Sequence, residues 1–153
     1  MLIYRRLTEA DAEAMRQMNQ MFGAAFKDTK TYRYDQGDDA YFQRILGKDH
    51  VIVLACFHAG QVVGGLVAYV LDKLEMARSE IYIYDLAVDE SHRRQGIATE
   101  LINELKAIAA KTGAWVIFVQ ADREDEPAIQ LYEKLGVREE PLHFDINLEE
   151  GNG

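Results

Sequence analysis

The sequence predicts a mixed α/β fold in which one central β-sheet is covered by helices on both faces. Three observations favour this class. The 153 residues are a normal length for one compact domain, and 48% of them are hydrophobic, enough to fill one core. Strand-forming segments alternate with segments of helical periodicity. No repeat, low-complexity tract or proline-rich linker interrupts the chain, so we predict one domain over residues 1–146 and a polar tail over 147–153.

The amino-terminal part predicts a strand and two helices. Strand formers occupy residues 2–7, and Thr8 can cap a helix with Asp11 three residues later. Asp38 or Asp39 can cap a second, short helix, and the loop between the two helices is a candidate for contact with substrate. The first helix carries an apolar stripe that is typical of core packing, formed by Ala12, Met15, Met18, Met21 and Phe22.

The rest of the chain predicts alternating strands and helices. Pro127 fits the first turn of a helix, and Gly113 fits the end of another. Because Cys56 is the one cysteine, an intrachain disulfide is excluded. Its position in an apolar strand predicts a buried, inert thiol. The expected elements are strands at 51–57, 62–71 and 80–88, a helix at 96–111, a strand at 115–121, a helix that ends near Gly136, and a last strand or pair of strands within 137–146.

The charge balance narrows the class of partner. There are 17 Lys and Arg residues against 26 Asp and Glu, a formal charge of -9, which argues against nucleic acid and suits neutral or cationic partners. Many soluble domains are acidic for solubility alone, and this is the simpler explanation of the charge. The longest mostly apolar stretch, 62–71, is too short to span a bilayer, and the first residues lack a signal-peptide pattern. We therefore predict a reduced, cytoplasmic protein with no membrane partner.

The most informative segment joins a strand to a helix through a polar turn. Within residues 84–98, Arg93 and Arg94 precede Gly96 at the opening of a long amphipathic helix. The first turn of a helix leaves backbone N–H groups unpaired and carries the positive end of the dipole, so a pyrophosphate can bind there. Taken alone, the segment fits an ordinary strand-to-helix turn equally well. It is neither a P-loop nor a glycine-rich dinucleotide fingerprint.

Metal and hydrolase chemistry are not favoured. The histidines His50, His58, His92 and His143 are dispersed, with no H-E-x-x-H pattern and no pairing with cysteine. The serines Ser79 and Ser91 lie outside any G-x-S-x-G elbow. We therefore expect no metal, and we interpret His92 as a turn residue.

Two motifs together resemble those of the GCN5-related N-acetyltransferase (GNAT) superfamily. Residues 93–98, Arg-Arg-Gln-Gly-Ile-Ala, are similar to its signature [R/Q]-x-x-G-x-[G/A]. Residues 125–137 look like its N-x-x-A-x-x-L-Y-x-x-x-G-F segment, with Asp125 in place of Asn and Val137 in place of Phe. The resemblance implies the GNAT fold, a mixed central sheet whose parallel fourth and fifth strands splay apart, with helices on both faces.

A closer similarity is to the aminoglycoside 3-N-acetyltransferases of this superfamily, carried by residues 78–88, 93–98, 119–122 and 143–146. It implies acetyl-CoA as cosubstrate, a polycationic aminoglycoside as partner, acetylation of its 3-amino group and antibiotic resistance. Homodimers are common in this superfamily. By the same resemblance, the pantetheine pairs with strand backbone and the pyrophosphate lies over the helix opening, so the expected cofactor-binding residues are Leu86, Ala87, Val88, Arg93, Arg94, Gln95, Gly96, Ile97, Ala98 and Asp125.

Asp85 and Tyr132 are the candidate catalytic residues. An amine of lysine-like pKa is mostly protonated near neutrality, so acetyl transfer needs a group that accepts its proton. Asp85 interrupts a strand-forming segment, which costs strand stability and favours a functional role as base, directly or through a water. Tyr132 matches the family's tyrosine that protonates the leaving thiolate, although its spacing also suits core packing.

Carboxylates and aromatic rings are expected to bind the acceptor. An aminoglycoside carries several ammonium groups, so recognition requires carboxylates around a groove. The expected substrate-binding residues are Glu80, Tyr84, Asp85, Asp122 and Asp145. Weaker candidates are the carboxylates of Asp35, Asp38, Asp39 and residues 124–126, and the rings of Tyr32, Tyr34 and Tyr82, which can stack on sugars or simply pack.

Two alternative functions remain open. An enzyme of the same architecture can acetylate another amine, such as a polyamine, an amino sugar or a protein N-terminus. A non-catalytic module can instead bind acetyl-CoA and report its level to a partner, although the presence of both Asp85 and Tyr132 argues against it.

Overall fold

A computed structural model describes residues 1–28, 32 and 37–149 of the chain. It confirms the α/β class. A short 3-10 turn at Glu90–His92 precedes the third helix. The elements in chain order are β1 (Leu2–Arg6), α1 (Ala12–Phe26), α2 (Asp39–Leu46), β2 (Val51–His58), β3 (Gln61–Asp72), β4 (Ser79–Val88), α3 (Ile97–Thr112), β5 (Ala114–Val119) and α4 (Glu126–Leu135).

The sheet is mixed, and its order within the described residues is β1-β2-β3-β4-β5. The first four strands are antiparallel to their neighbours, whereas β4 and β5 run parallel. A helix connects β4 to β5, as a parallel crossover requires. The prediction of a mixed sheet with a parallel fourth and fifth strand is confirmed.

Helices cover both faces of this sheet, as two adjacent glycines of β3 show. A Cβ atom added to Gly64 would lie 2.6 Å from Cγ2 of Ile97 in α3, and one added to Gly65 would lie 2.6 Å from Sδ of Met18 in α1. Successive strand residues point to opposite faces, so α3 and α1 pack on opposite sides. Glycine at both positions allows the two helices to approach the sheet closely.

The predicted apolar stripe of α1 forms a large part of the core. All five of its side chains are buried, and Met18 and Phe22 are fully inaccessible. They pack with residues of α2, β2 and β3 in one cluster. On the other face, α3 buries Leu101 and Leu105 completely. Helical periodicity therefore predicted the buried face of α1 correctly.

The start of α1 differs from the prediction. The helix begins at Ala12, with Asp11 rather than Thr8 as the residue before its first turn. The Asp11 carboxylate instead accepts hydrogen bonds from the backbone N–H of Thr8 at 2.7 Å and from the Arg5 guanidinium at 2.9 and 3.0 Å. The Arg5 bonds are the main reason why the pKa of Asp11 falls to about 2. Thr8 is not the helix cap, because its backbone and hydroxyl are engaged by Asp11.

The chain divides into two compact units, residues 1–120 and 121–153. In the second unit, residues 137–146 adopt neither helix nor strand, so the predicted strand or pair of strands does not form. A strand needs a partner for its backbone hydrogen bonds, and Pro141 has no N–H to offer one.

None of the helices in the described residues has the length and the apolar composition that a membrane span requires.

Candidate functional site

The candidate site lies where β4 loses one of its two neighbours. Pairing between β4 and β5 stops at Ile83 and Val119, whereas pairing with β3 continues to Val88. The register with β3 also shifts here, since Ala68 faces Ile83 and Val67 faces Asp85. Tyr84 is therefore an extra residue, which makes a β-bulge. Among the described strands, none pairs with the other edge of Tyr84–Val88, so its backbone groups are free to bind another chain-like molecule.

Asp85 is the half-buried acid of this open segment. Its Oδ1 accepts a hydrogen bond of 2.9 Å from the hydroxyl of Tyr32, which lies between α1 and α2. Burial raises the pKa of Asp85 above its ordinary value, and the bond from Tyr32 partly opposes this rise. The carboxyl thus combines partial burial with a strengthened affinity for a proton, the property expected of a general base.

Aromatic rings surround the acid on the sheet. The exposed ring of Tyr84 contacts Tyr69 edge-on at 6.0 Å and Tyr82 at 5.5 Å, and Tyr82 stacks on Phe118 at 4.6 Å. The Tyr82 hydroxyl also donates to Gln120 at 3.1 Å. Sequence reasoning missed Tyr69 and Phe118, because no alternation of buried and exposed residues marks either position in its strand.

Glu80 lies near the start of β4, and its carboxylate already accepts a hydrogen bond. Its Oε2 accepts a hydrogen bond of 3.2 Å from the indole N–H of Trp115, and the Arg78 guanidinium lies 4.0 Å above the Trp115 ring. The carboxylate is therefore fixed against the side of β5. Contact between Glu80 and a substrate remains a prediction.

The turn between β4 and α3 presents an open helix start. Gly96 has φ +76°, a conformation that L side chains rarely adopt, and Arg94 shares the left-handed region at φ 64°. No side chain among the described residues caps α3, so its first N–H groups lie unpaired at the positive end of the helix dipole. A Cβ on Gly96 would meet nothing within 4 Å, whereas Ile97 is buried and anchors the turn. The exposed Arg93, Arg94 and Gln95 surround this opening.

Hydrogen bonds hold the preceding turn in shape. Arg93 donates from Nε to the carbonyl of Val88 at 3.4 Å. The carboxylate of Asp89 accepts from the Ser91 hydroxyl and lies 3.0 Å from Nδ1 of His92. These bonds, first that from Ser91, lower the pKa of Asp89. His92 is thus engaged inside the turn, in agreement with its interpretation as a turn residue.

Four candidate site residues lie in the second unit: Asp122, Asp125, Tyr132 and Asp145. Asp125 accepts from the backbone N–H of Ala128 at 3.3 Å and so caps α4. Burial raises the pKa of Tyr132 to about 12, with a smaller contribution from the charge of Asp125, so its hydroxyl stays protonated. Asp145 lies 2.9 Å from Nε2 of His143, and the backbone carbonyl of Asp122 accepts from Asp125.

The weaker acceptor candidates have structural partners or lie outside the described residues. Asp38 caps α2 by accepting from the N–H of Tyr41, and Asp39 forms an ion pair with Arg16. Tyr34 and Asp35 are not among the described residues. In residues 1–28, 32 and 37–149, no three His, Cys, Asp or Glu side chains are grouped in a way that could hold a metal ion.

The chain matches a family model and two solved structures over most of its length. Residues 15–137 match the model of the acetyltransferase (GNAT) family. An aminoglycoside acetyltransferase from an uncultured soil metagenomic sample is 53% identical, with 97% of this chain and 99% of that chain aligned and a TM-score of 0.95. A second one from such a sample, in complex with sisomicin, is 31% identical, with 97% of each chain aligned and a TM-score of 0.89.

Curated relatives from archaea are more distant. An N-alpha-acetyltransferase of Sulfurisphaera tokodaii is 30% identical over 96 residues, which are 56% of this chain and 58% of that protein. An uncharacterized N-acetyltransferase of Methanocaldococcus jannaschii is 27% identical over 130 residues, 80% of this chain and 56% of that protein. The chain therefore spans somewhat more than half the length of these curated relatives.

Proposed function

The chain belongs to the GNAT family, as its two motifs predicted, and from this premise we propose that it transfers an acetyl group to an amine of an aminoglycoside. One observation carries the choice of acceptor: the similarity to a solved aminoglycoside acetyltransferase extends over nearly the whole of both chains, with more than half of the residues identical. The 3-amino group as the acetylated position rests on the sequence resemblance alone.

GNAT acetyltransferases use acetyl-CoA, which supplies the acetyl group as a reactive thioester. In our proposal its pantetheine amides pair with the open backbone edge of Leu86, Ala87 and Val88, like an added strand. The N–H groups of residues 94–98 and the two arginines of the turn bind its pyrophosphate. The absence of a β5 partner beside Tyr84–Val88 and the uncapped start of α3 support this assignment. Asp125, which caps α4, is a further proposed contact.

Asp85 accepts the proton of the acceptor ammonium in the proposed reaction. Its charged form attracts the ammonium, and its raised pKa makes it a better proton acceptor than an exposed aspartate. The backbone amides of the same strand polarise the carbonyl under attack. Tyr132 gives its hydroxyl proton to the departing thiolate, and the resulting phenolate regains a proton from solvent. The hydroxyl is protonated at neutral pH, and burial raises its pKa further.

The acceptor is held by rings and carboxylates in this proposal. The exposed Tyr84 and its neighbour Tyr82 offer faces for a sugar ring, and Asp85 provides charge beside them. Glu80, Asp122 and Asp145 are the further carboxylates proposed to bind ammonium groups. Acetylation would remove one positive charge from the drug, which is the physical basis for proposing resistance. A cytoplasmic location and a homodimer remain predictions.

A protein N-terminus is the second candidate acceptor. The observation in its favour is that curated archaeal relatives of comparable identity to the sisomicin-bound structure are N-alpha-acetyltransferases. These relatives align over little more than half of this chain, whereas the aminoglycoside enzymes align over nearly all of it. We therefore rank the aminoglycoside first.

Thiol release from acetyl-CoA tests the proposal. Sisomicin, a kanamycin-type drug, a polyamine and a short peptide with a free N-terminus serve as acceptors, and mass spectrometry with NMR locates the acetyl group. We expect release with the drugs and background release with the other two. Release with the peptide alone would establish the second candidate, and tight CoA binding without release to any acceptor would indicate a non-catalytic module.

A further inference from the structure

Tyr32 reaches Asp85 across a long separation in sequence. The two residues are 53 positions apart, and the Tyr32 hydroxyl donates to Oδ1 of Asp85 at 2.9 Å. Among the described residues, no other hydrogen bond to the Asp85 carboxylate is present. Residues 29–31 and 33–36, on either side of Tyr32, lie outside that part.

Two phenylalanines of α1 hold the Tyr32 ring. Phe22 is fully buried and meets the ring edge-on at 5.9 Å, while Phe26 contacts it at 5.6 Å. The two phenylalanines, one helical turn apart, stack on each other at 5.5 Å. Because α1 packs on the sheet, this ring cluster fixes where the Tyr32 hydroxyl points.

We propose that Tyr32 is a positioning residue that holds Asp85 through Oδ1, so that Oδ2 faces the acceptor amine. The inference rests on the proposed function, since Tyr32 acts only through Asp85. Of the two alternatives for the Tyr32 ring, stacking on a sugar or packing, its contacts with the two phenylalanines favour packing.

The groups around Asp85 make the hydrogen bond from Tyr32 a main influence on the pKa of this carboxyl. Tyr32 faces it from the segment after α1, Tyr69 from β3, and Tyr82 from β4 itself. All three groups are tyrosines, and no lysine or arginine of the described residues forms an ion pair with Asp85. Desolvation raises the pKa of Asp85, and the bond from Tyr32 lowers it. Burial and the charge of Asp85 raise the pKa of Tyr32, which keeps it a donor.

The direction of the effect follows from these two opposed influences. Removing the hydroxyl leaves desolvation unopposed, so the pKa of Asp85 rises further. On the acid side of the pH profile, a smaller fraction of the enzyme then carries the charged base. A purely structural role for Tyr32 would lower the amount of folded enzyme at every pH without moving the profile.

The test compares Tyr32→Phe with a matched control, Tyr69→Phe. Both variants keep the ring and remove one hydroxyl near Asp85, but only the first removes its hydrogen bond. The Asp85 carboxyl is titrated by carbon-13 NMR, with Asp85→Asn used to assign its signal. The pH dependence of kcat/KM is measured in parallel. For Tyr32→Phe we expect the NMR midpoint and the acid limb of kcat/KM to move up together by about one pH unit, the scale set by a hydrogen bond to a charged group.

The two readouts separate the inference from the proposed function. An unchanged NMR midpoint in Tyr32→Phe, with the fold intact, would overturn the role of Tyr32. A midpoint that rises while the kinetic limb stays in place would support the link between Tyr32 and Asp85 and would overturn Asp85 as the base. A midpoint that rises equally in Tyr69→Phe would attribute the effect to general polarity and also overturn the inference.

Discussion

The two halves of β4 have the same neighbour on one edge and different surroundings on the other. Ser79–Ile83 pairs with both β3 and β5, and its residues Ile81 and Ile83 are buried at 0% and 3% exposure. Among the described strands, Tyr84–Val88 pairs with β3 alone, and none of its five residues is buried. The change occurs at the bulged Tyr84. One strand therefore contains a structural half and a half whose backbone is available for binding.

This difference shows how a sheet can present a binding edge without losing its core. The paired half is anchored by apolar side chains against α3, so the open half extends from a rigid base. The bulge also shifts the register, which places Asp85 opposite Val67 and on the face covered by α1. Substitutions in the two halves should therefore affect different properties of the protein.

Asp85→Asn, in the open half, should have the largest effect on turnover. Without a group to accept the proton, kcat should fall by about 10²- to 10⁴-fold, the range for general base catalysis. Acetyl-CoA affinity should not change. The melting temperature should not fall, because burial raises the pKa of Asp85, so its charged form opposes folding, and asparagine keeps an oxygen that can accept from Tyr32. Steady-state kinetics, calorimetric titration with acetyl-CoA and thermal unfolding measure these three properties. Wild-type turnover in this variant would remove Asp85 from the proposed chemistry.

Ile81→Ala, in the paired half, should show the opposite pattern. The side chain is fully buried, so its truncation should cost about 2–5 kcal/mol of the free energy of unfolding. The kcat of the remaining folded enzyme should stay close to that of the wild type. Urea unfolding and kinetics at low temperature separate the two properties. A large loss of kcat without loss of stability would mean that the halves are not distinct.

Gly96→Val tests the turn that follows the open half, with a smaller expected effect. The new side chain would point into open space where we place the pyrophosphate, so acetyl-CoA affinity should fall by about tenfold. Gly113→Val is the matched control at the other end of α3. Its φ of +79° is nearly the same as the +76° of Gly96, so both variants carry a similar backbone penalty. Equal affinity losses in the two variants would contradict the assignment of the pyrophosphate.

Local sequence patterns predicted the helices well, and they singled out Asp85 as a candidate residue within a strand. The apolar stripe of α1, the stop of α3 at Gly113 and the turn before Ile97 follow from periodicity and glycine conformation, which depend on near neighbours in sequence. Asp85 was recognisable because a charged residue stands out in a strand-forming segment. These features need no knowledge of distant partners.

Long-range pairing set the limit of prediction. The bond between Tyr32 and Asp85 joins residues 53 positions apart, and no periodicity links them. The bulge at Tyr84 depends on the register with β3, which the sequence of β4 does not specify by itself. The strand expected within 137–146 failed for a related reason, because strand formers do not reveal whether a partner edge exists.

Hydrogen exchange with and without acetyl-CoA tests the division of β4 most directly. In the free protein, amides of Ser79–Ile83 should exchange slowly and those of Tyr84–Val88 faster, because the described strands pair with both edges of the first half and with one edge of the second. Acetyl-CoA should slow exchange in Tyr84–Val88 and in residues 94–98 and leave Ser79–Ile83 unchanged. Protection elsewhere in the chain, with neither of these two segments affected, would contradict the proposal that the open half of β4 binds the cosubstrate.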